Sequence, residues 1–99
     1  MLRIERTPGG QGRIFRLVGK LDGGTTRQFE RIVAGPIGDG GDVTLDLGEL
    51  TGCDGAGVDS LSVLARRARV AGGRLLFCSA RAEIRAVLED GNLEVEASQ

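Results

Sequence analysis

Histidine is absent from this chain of 99 residues, which removes both the commonest general base and the commonest transition-metal ligand. Only two cysteines occur. Cys53 lies in an expected turn, Cys78 ends an expected apolar strand, and their spacing matches no metal-ligand pattern, so both read as reduced thiols. No apolar run approaches the roughly 20 residues of a membrane helix, and Met1 to Gly10 lacks the apolar core of a signal peptide. A cytoplasmic protein without direct membrane insertion is therefore expected. The formal charge is only −1 and the charges are interspersed. No basic stripe tracks a phosphate backbone, so no nucleic acid is expected as a partner.

Catalytic signatures are missing as well. The glycines Gly52, Gly55 and Gly57 do not spell GxGxxG, and no GxxxxGK[ST] loop is present, so no nucleotide or other cofactor is expected. Asp54 and Asp59 stand five apart across a helix start, which does not make them an acid–base pair, and no nucleophile has a neighbouring base. The chain reads as a non-enzyme. Its length fits one domain over residues 1–99.

Period-two alternation marks strands at Leu2–Ile4 and Arg13–Val18, with Pro8, Gly9, Gly10 and Gly12 turning between them. Thr25 and Gln28 stand at capping-box spacing, and Phe29, Ile32 and Val33 supply the stripe of a helix from about Thr26 to Ala34. Gly35, Pro36, Gly38, Gly40 and Gly41 then read as a loop. Val43, Leu45 and Leu47 alternate with Thr44 and Asp46 as a strand expected to be central. Val58, Leu61, Leu64, Ala65, Ala68 and Ala71 recur at helical spacing up to Gly72 and Gly73. Leu75, Leu76 and Phe77 form a continuous run that suits a strand buried on both faces. A last helix would carry Ile84, Val87 and Leu88, capped by Ser79 and stopped by Gly91 or Asn92, after which Leu93 and Val95 dock or add an edge strand. Strand, helix, strand makes a parallel crossover unit. The fold class is α/β, a mixed central sheet of four to five strands with three or more helices.

The segment Val43 to Gly57 joins a strand to a helix start through an acidic, glycine-lined turn. Asp54 has two readings, a partner contact or a cap that accepts hydrogen bonds from the first free amides. Gly55 and Gly57 either bring a partner close or permit a tight turn. Asp46, on a central strand, needs hydrogen bonds and reads as structural. Arg66, Arg67 and Arg69, with Arg81 and Arg85, fit a solvated face better than a basic patch, given Glu83, Glu89 and Asp90 nearby.

VTLDLGELTGCDGAGVDSL, followed by ARRARVAGGRLLF and EIRAVLEDGNLEV, resembles the STAS domain, the fold of bacterial anti-sigma factor antagonists and of sulfate-transporter cytoplasmic tails. Gly19, Lys20, Leu21 and Asp22 look like the family's Gly-x-Leu-Asp signature. The resemblance implies a single STAS-like domain that binds an anti-sigma factor serine kinase, releases a sigma factor and is switched off by phosphorylation. It implies partner contact at Asp22, Gly23, Thr25, Asp54, Gly55, Ala56, Gly57 and Val58, in the two loops and the start of the following helix. The family's phosphoacceptor position is Ala56 here, so that hydroxyl is lost, and Thr51 and Ser60 are the nearby alternatives. The same resemblance implies a rival role as the small cytoplasmic subunit of an ABC-type phospholipid transport complex, bound to its ATPase subunit. A scaffold unit in a larger signalling assembly is a third.

Overall fold

The computed structural model describes residues 1–7 and 13–93. The expected turn at Pro8 to Gly12 and the expected role of Val95 lie outside the described residues. Within them the order is β1 (Leu2–Arg6), β2 (Ile14–Leu21), α1 (Thr26–Gly38), β3 (Val43–Cys53), α2 (Gly55–Val70), β4 (Leu75–Cys78) and α3 (Ala82–Asp90). The four strands form one mixed sheet in the order β1-β2-β3-β4. β1 runs antiparallel to β2, whereas β2, β3 and β4 are mutually parallel neighbours.

One face of the sheet carries the core. Phe15 and Leu17 of β2, Val43, Leu45 and Leu47 of β3, and Leu75 and Phe77 of β4 join the buried stripes of all three helices in a single cluster. The opposite face holds the row Glu5, Arg16, Asp46 and Cys78, aligned across the four strands and open to partial solvent contact. β4 therefore alternates buried and half-buried residues. The continuous apolar run had suggested burial on both faces, but Leu76 points away from the helices and only one face is covered.

β3 is longer than its sequence pattern suggests because alternation breaks at Gly48. Leu17 of β2 stands opposite both Leu47 and Gly48, since Arg16 pairs with Asp46 and Val18 with Glu49. This is a β-bulge, which bends the strand and resets which residues face inward. The Asp46 carboxylate accepts a hydrogen bond from the Gly48 amide at 3.0 Å and lies 3.8 Å from Arg16 Nε. Its structural reading holds.

Helix α1 runs past Gly35 and Pro36 to Gly38, one full turn beyond the expected end at Ala34. Proline in the last turn forfeits one amide bond, but the extra turn buries Ile37 below Phe29 and Val33. Burying such a side chain contributes about 1.5–3 kcal/mol. Arg13 completes the stop. Its guanidinium donates to the Pro36 carbonyl at 2.9 Å, to the Gly40 carbonyl and to the Asp42 carbonyl at 2.7 Å, serving one carbonyl of the last helical turn and two of the loop that follows. Ile32, assigned to the stripe from sequence, is 39% exposed. In α3 the N-cap is Arg81 rather than Ser79, because Ser79 adopts a left-handed φ of 63°. Asn92 supplies the left-handed stop with φ 65°, and buried Leu93 donates to the Leu88 carbonyl at 2.9 Å.

Gly73 closes the crossover from α2 to β4, where a Cβ would fall on the Gly41 carbonyl oxygen. Gly38, the last residue of α1, has nothing outside its own stretch of helix within 4 Å of its Cβ position. Gly73→Ala is expected to destabilise by about 2–3 kcal/mol through forced backbone displacement. Gly38→Ala is expected to stabilise by about 0.5 kcal/mol, because alanine loses less chain entropy on folding at a position it fits. Urea unfolding of both variants checks the two signs.

Candidate functional site

Leu21 and Cys53 are register partners at the ends of the parallel strands β2 and β3, so the loops that follow leave the sheet side by side. In open α/β sheets the space outside the carboxyl ends of parallel strands is the usual place for ligands. The Asp54 amide donates to the Leu21 carbonyl at 3.3 Å. A Cβ at Gly57 would meet that same carbonyl oxygen and, at 2.8 Å, Cys53 Sγ. Glycine at residue 57 is thus a packing requirement, the tight-turn reading of the two left open by the sequence. Across the gap, a Cβ at Gly23 would lie 3.8 Å from the Ala56 methyl.

The Asp22 loop is held by its own polar groups. Thr25 Oγ1 accepts from the Asp22 amide at 2.9 Å and lies 3.0 Å from the Lys20 carbonyl, to which it can donate. Asp22 Oδ1 accepts from the Gly24 amide at 3.0 Å. Thr25 is buried at 8% exposure and makes no side-chain cap bond to α1. The expected capping box does not form, because the Thr25 hydroxyl is used by the loop before it and Gln28 Nε2 donates instead to the Leu2 carbonyl at 2.9 Å.

Asp54 is the N-cap of α2, which begins at Gly55, its Oδ1 accepting from the Gly57 amide at 2.9 Å. The capping reading is thereby established, and the residue is still exposed at the surface. Gly55 and Ala56 are exposed beside it, Asp22 and Val58 are partly buried, and Thr25 and Gly57 are buried. Cys53 ends β3 rather than sitting in a turn. Burial, and secondarily the negative charge of Asp54, push its thiol up from 9.0 to about 11. At neutral pH it is a protonated, weakly nucleophilic group.

A further contact escapes sequence reasoning. Ser60 Oγ donates to Glu30 Oε2 at 2.6 Å, tying α2 to α1 just behind the two loops. Ser60 is only 5% exposed. The partners are thirty positions apart in the chain and share no local pattern, so no signal announced them. Thr51 is exposed and donates to the Gly19 carbonyl at 3.0 Å. Among the described residues no group of three or more His, Cys, Asp or Glu side chains is placed to hold a metal ion, and no helix is long and apolar enough to cross a membrane.

A family model described as the STAS domain matches residues 2–96. Among solved structures, the anti-sigma factor antagonist SpoIIAA in its unphosphorylated form superposes with a TM-score of 0.72 at 19% identity, covering 100% of this chain and 90% of that one. At that identity the likeness is one of fold. No curated protein matches the sequence.

Asp54→Ala removes the cap and is expected to cost about 1 kcal/mol in denaturant unfolding. The Cys53 thiol binds its proton more tightly in the folded state than in the unfolded one. Its contribution to stability is therefore intact below pH 9 and is lost as pH rises through 9 to 11, and Cys53→Ala should flatten that limb of the stability profile. Native Cys53 should also alkylate at pH 8 about tenfold more slowly than in the denatured chain, its smaller thiolate fraction being offset in part by the greater nucleophilicity of a more basic thiolate. Peptide mapping after iodoacetamide treatment reads this out.

Proposed function

The chain belongs to the STAS domain family, and on that premise we propose that it is a non-catalytic protein-interaction module of the anti-sigma factor antagonist kind. In this proposal it works in the cytoplasm and binds an anti-sigma factor serine kinase, freeing the sigma factor that the kinase holds. The docking surface is formed by exposed Gly23, Asp54, Gly55 and Ala56, flanked by Asp22 and Val58. Thr25 and Gly57 shape that surface from beneath.

The observation that carries this proposal is the meeting of the two loops at the ends of β2 and β3, with Gly23 against Ala56. Two glycines and a methyl make a low surface on which a partner can approach the backbone closely. Asp54 adds a negative charge at its edge. In this reading residue 56 is where the family's regulatory hydroxyl would stand, and alanine has none. A phosphate there would add about −1.5 to −2 charges beside Asp54 and act by repulsion, so its loss gives a form that stays competent to dock. Ser60, a nearby hydroxyl, is buried against Glu30, which disfavours it as a substitute acceptor.

Ala56 also favours a second role, as the small subunit of an ABC-type phospholipid transporter, where the domain steadies an assembly and needs no phosphate switch. The two roles separate by partner.

Affinity capture with the wild-type chain and with Ala56→Glu as baits, from cytosol and from detergent-solubilised membranes, tests both. The substitution adds charge at an exposed methyl group that makes no hydrogen bond, so the thermal midpoint should be unchanged. An anti-sigma kinase retained by the wild type and weakened at least about tenfold by Ala56→Glu supports the antagonist role. An ATPase with its permease supports the transport role. Equal retention of partners by both baits rules out this surface, and stoichiometric phosphate on Thr51 contradicts an unregulated form.

A further inference from the structure

The far end of α2 carries a feature that the loop surface does not use. Val63, Arg66, Arg67 and Val70 stand at i, i+3, i+4 and i+7, the spacing that puts side chains on one helix face. That face points to solvent. Val70 is 86% exposed and Val63 39% exposed. With Ala71 these residues line an open hollow of about 320 Å³.

Among the described residues no carboxylate pairs with the charge on this face. Among the described residues the ion pairs are Arg3 with Glu5, Arg16 with Glu5 and Arg16 with Asp46. Arg66, Arg67 and Arg69 take part in none of them and make no other side-chain bond. Glu83, Glu89 and Asp90 of α3 form no ion pair with these arginines. Positive charge suits a helix C-terminus, which accounts for Arg67 and Arg69 in the last turn. It does not account for two exposed valines on the same stripe.

We propose that this stripe is a second docking surface, and that its partner is an acidic amphipathic peptide segment of another protein. The partner's apolar side chain enters the hollow between Val63 and Val70, while its carboxylates pair with Arg66 and Arg67. Guanidinium groups suit this task because they bind carboxylates in bidentate fashion. An anionic membrane is the poorer fit, since the whole chain carries a formal charge of −1. Helix α2 has 16 residues and at about 1.5 Å per residue spans roughly 24 Å. The stripe begins at Val63, eight residues into the helix and so about 12 Å from its start, and it stands or falls independently of the loop surface.

The test is selection of a random twelve-residue phage-displayed peptide library on the wild-type chain, with counter-selection on Arg66→Glu/Arg67→Glu. Both positions are exposed, and circular dichroism checks that the variant folds. Enriched peptides should place Asp or Glu around Leu, Ile or Phe and should bind at least about tenfold more weakly to the charge-reversed variant. They should lose affinity as salt rises and shift backbone amide resonances of residues 63–71 rather than 54–58. Ala56→Glu should leave this binding unchanged. Absence of enrichment, peptides without acidic residues, equal binding to the variant, or shifts centred on residues 54–58 overturns the proposal. So does adsorption to vesicles of one-third phosphatidylglycerol in phosphatidylcholine by a chain that enriches no peptide.

Discussion

The carbonyl of Leu21 is the point on which the site depends. It ends β2, accepts the Asp54 amide, and leaves no room for a side-chain carbon at residue 57. Those contacts seat the first turn of α2 directly on the end of the neighbouring strand. The Asp22 loop, starting one residue after that carbonyl, is then held against Ala56. A larger residue at position 57 would lift α2 away and part the two loops. Close packing of this kind has little slack, because protein interiors are as dense as organic crystals.

Much of the fold is legible in the sequence because it rests on local periodicity. The alternation from Val43, the helical recurrence from Leu61 to Ala68 and the left-handed stop at Asn92 each follow from a few neighbouring residues. What escaped has non-local causes. The bulge at Gly48 breaks alternation only because β2 offers one residue against two. Pro36 stays helical because Ile37 has a core to enter and Arg13, distant in sequence, serves the carbonyls. Thr25 looked like a cap because its distance to Gln28 fits one, yet the hydroxyl finds a nearer partner in the backbone before it. At the site, Asp54 was legible as a cap, while the meeting of Gly23 with Ala56 and of Ser60 with Glu30 needed the sheet order.

Helix α2 organises the function proposed here. Its N-terminal turn is electrically mild, with Asp54 using one carboxylate oxygen on the helix itself and small residues exposed around it. Its C-terminal half is basic and apolar at once. Between them the inward face is fully committed to the core through Leu61, Leu64 and Ala68. A rigid rod with different chemistry at each end suits a module that brings partners together. The Cys53 thiol, kept neutral beneath the first turn, adds packing there with little reactivity.

The most direct measurement is hydrogen–deuterium exchange on the chain alone and in complex with its captured partner. Docking through the two loops should slow exchange in residues 22–26 and 55–59 together, since they form one surface. Protection confined to the open sheet face, around residues 14–18 and 44–46, would contradict the proposed site.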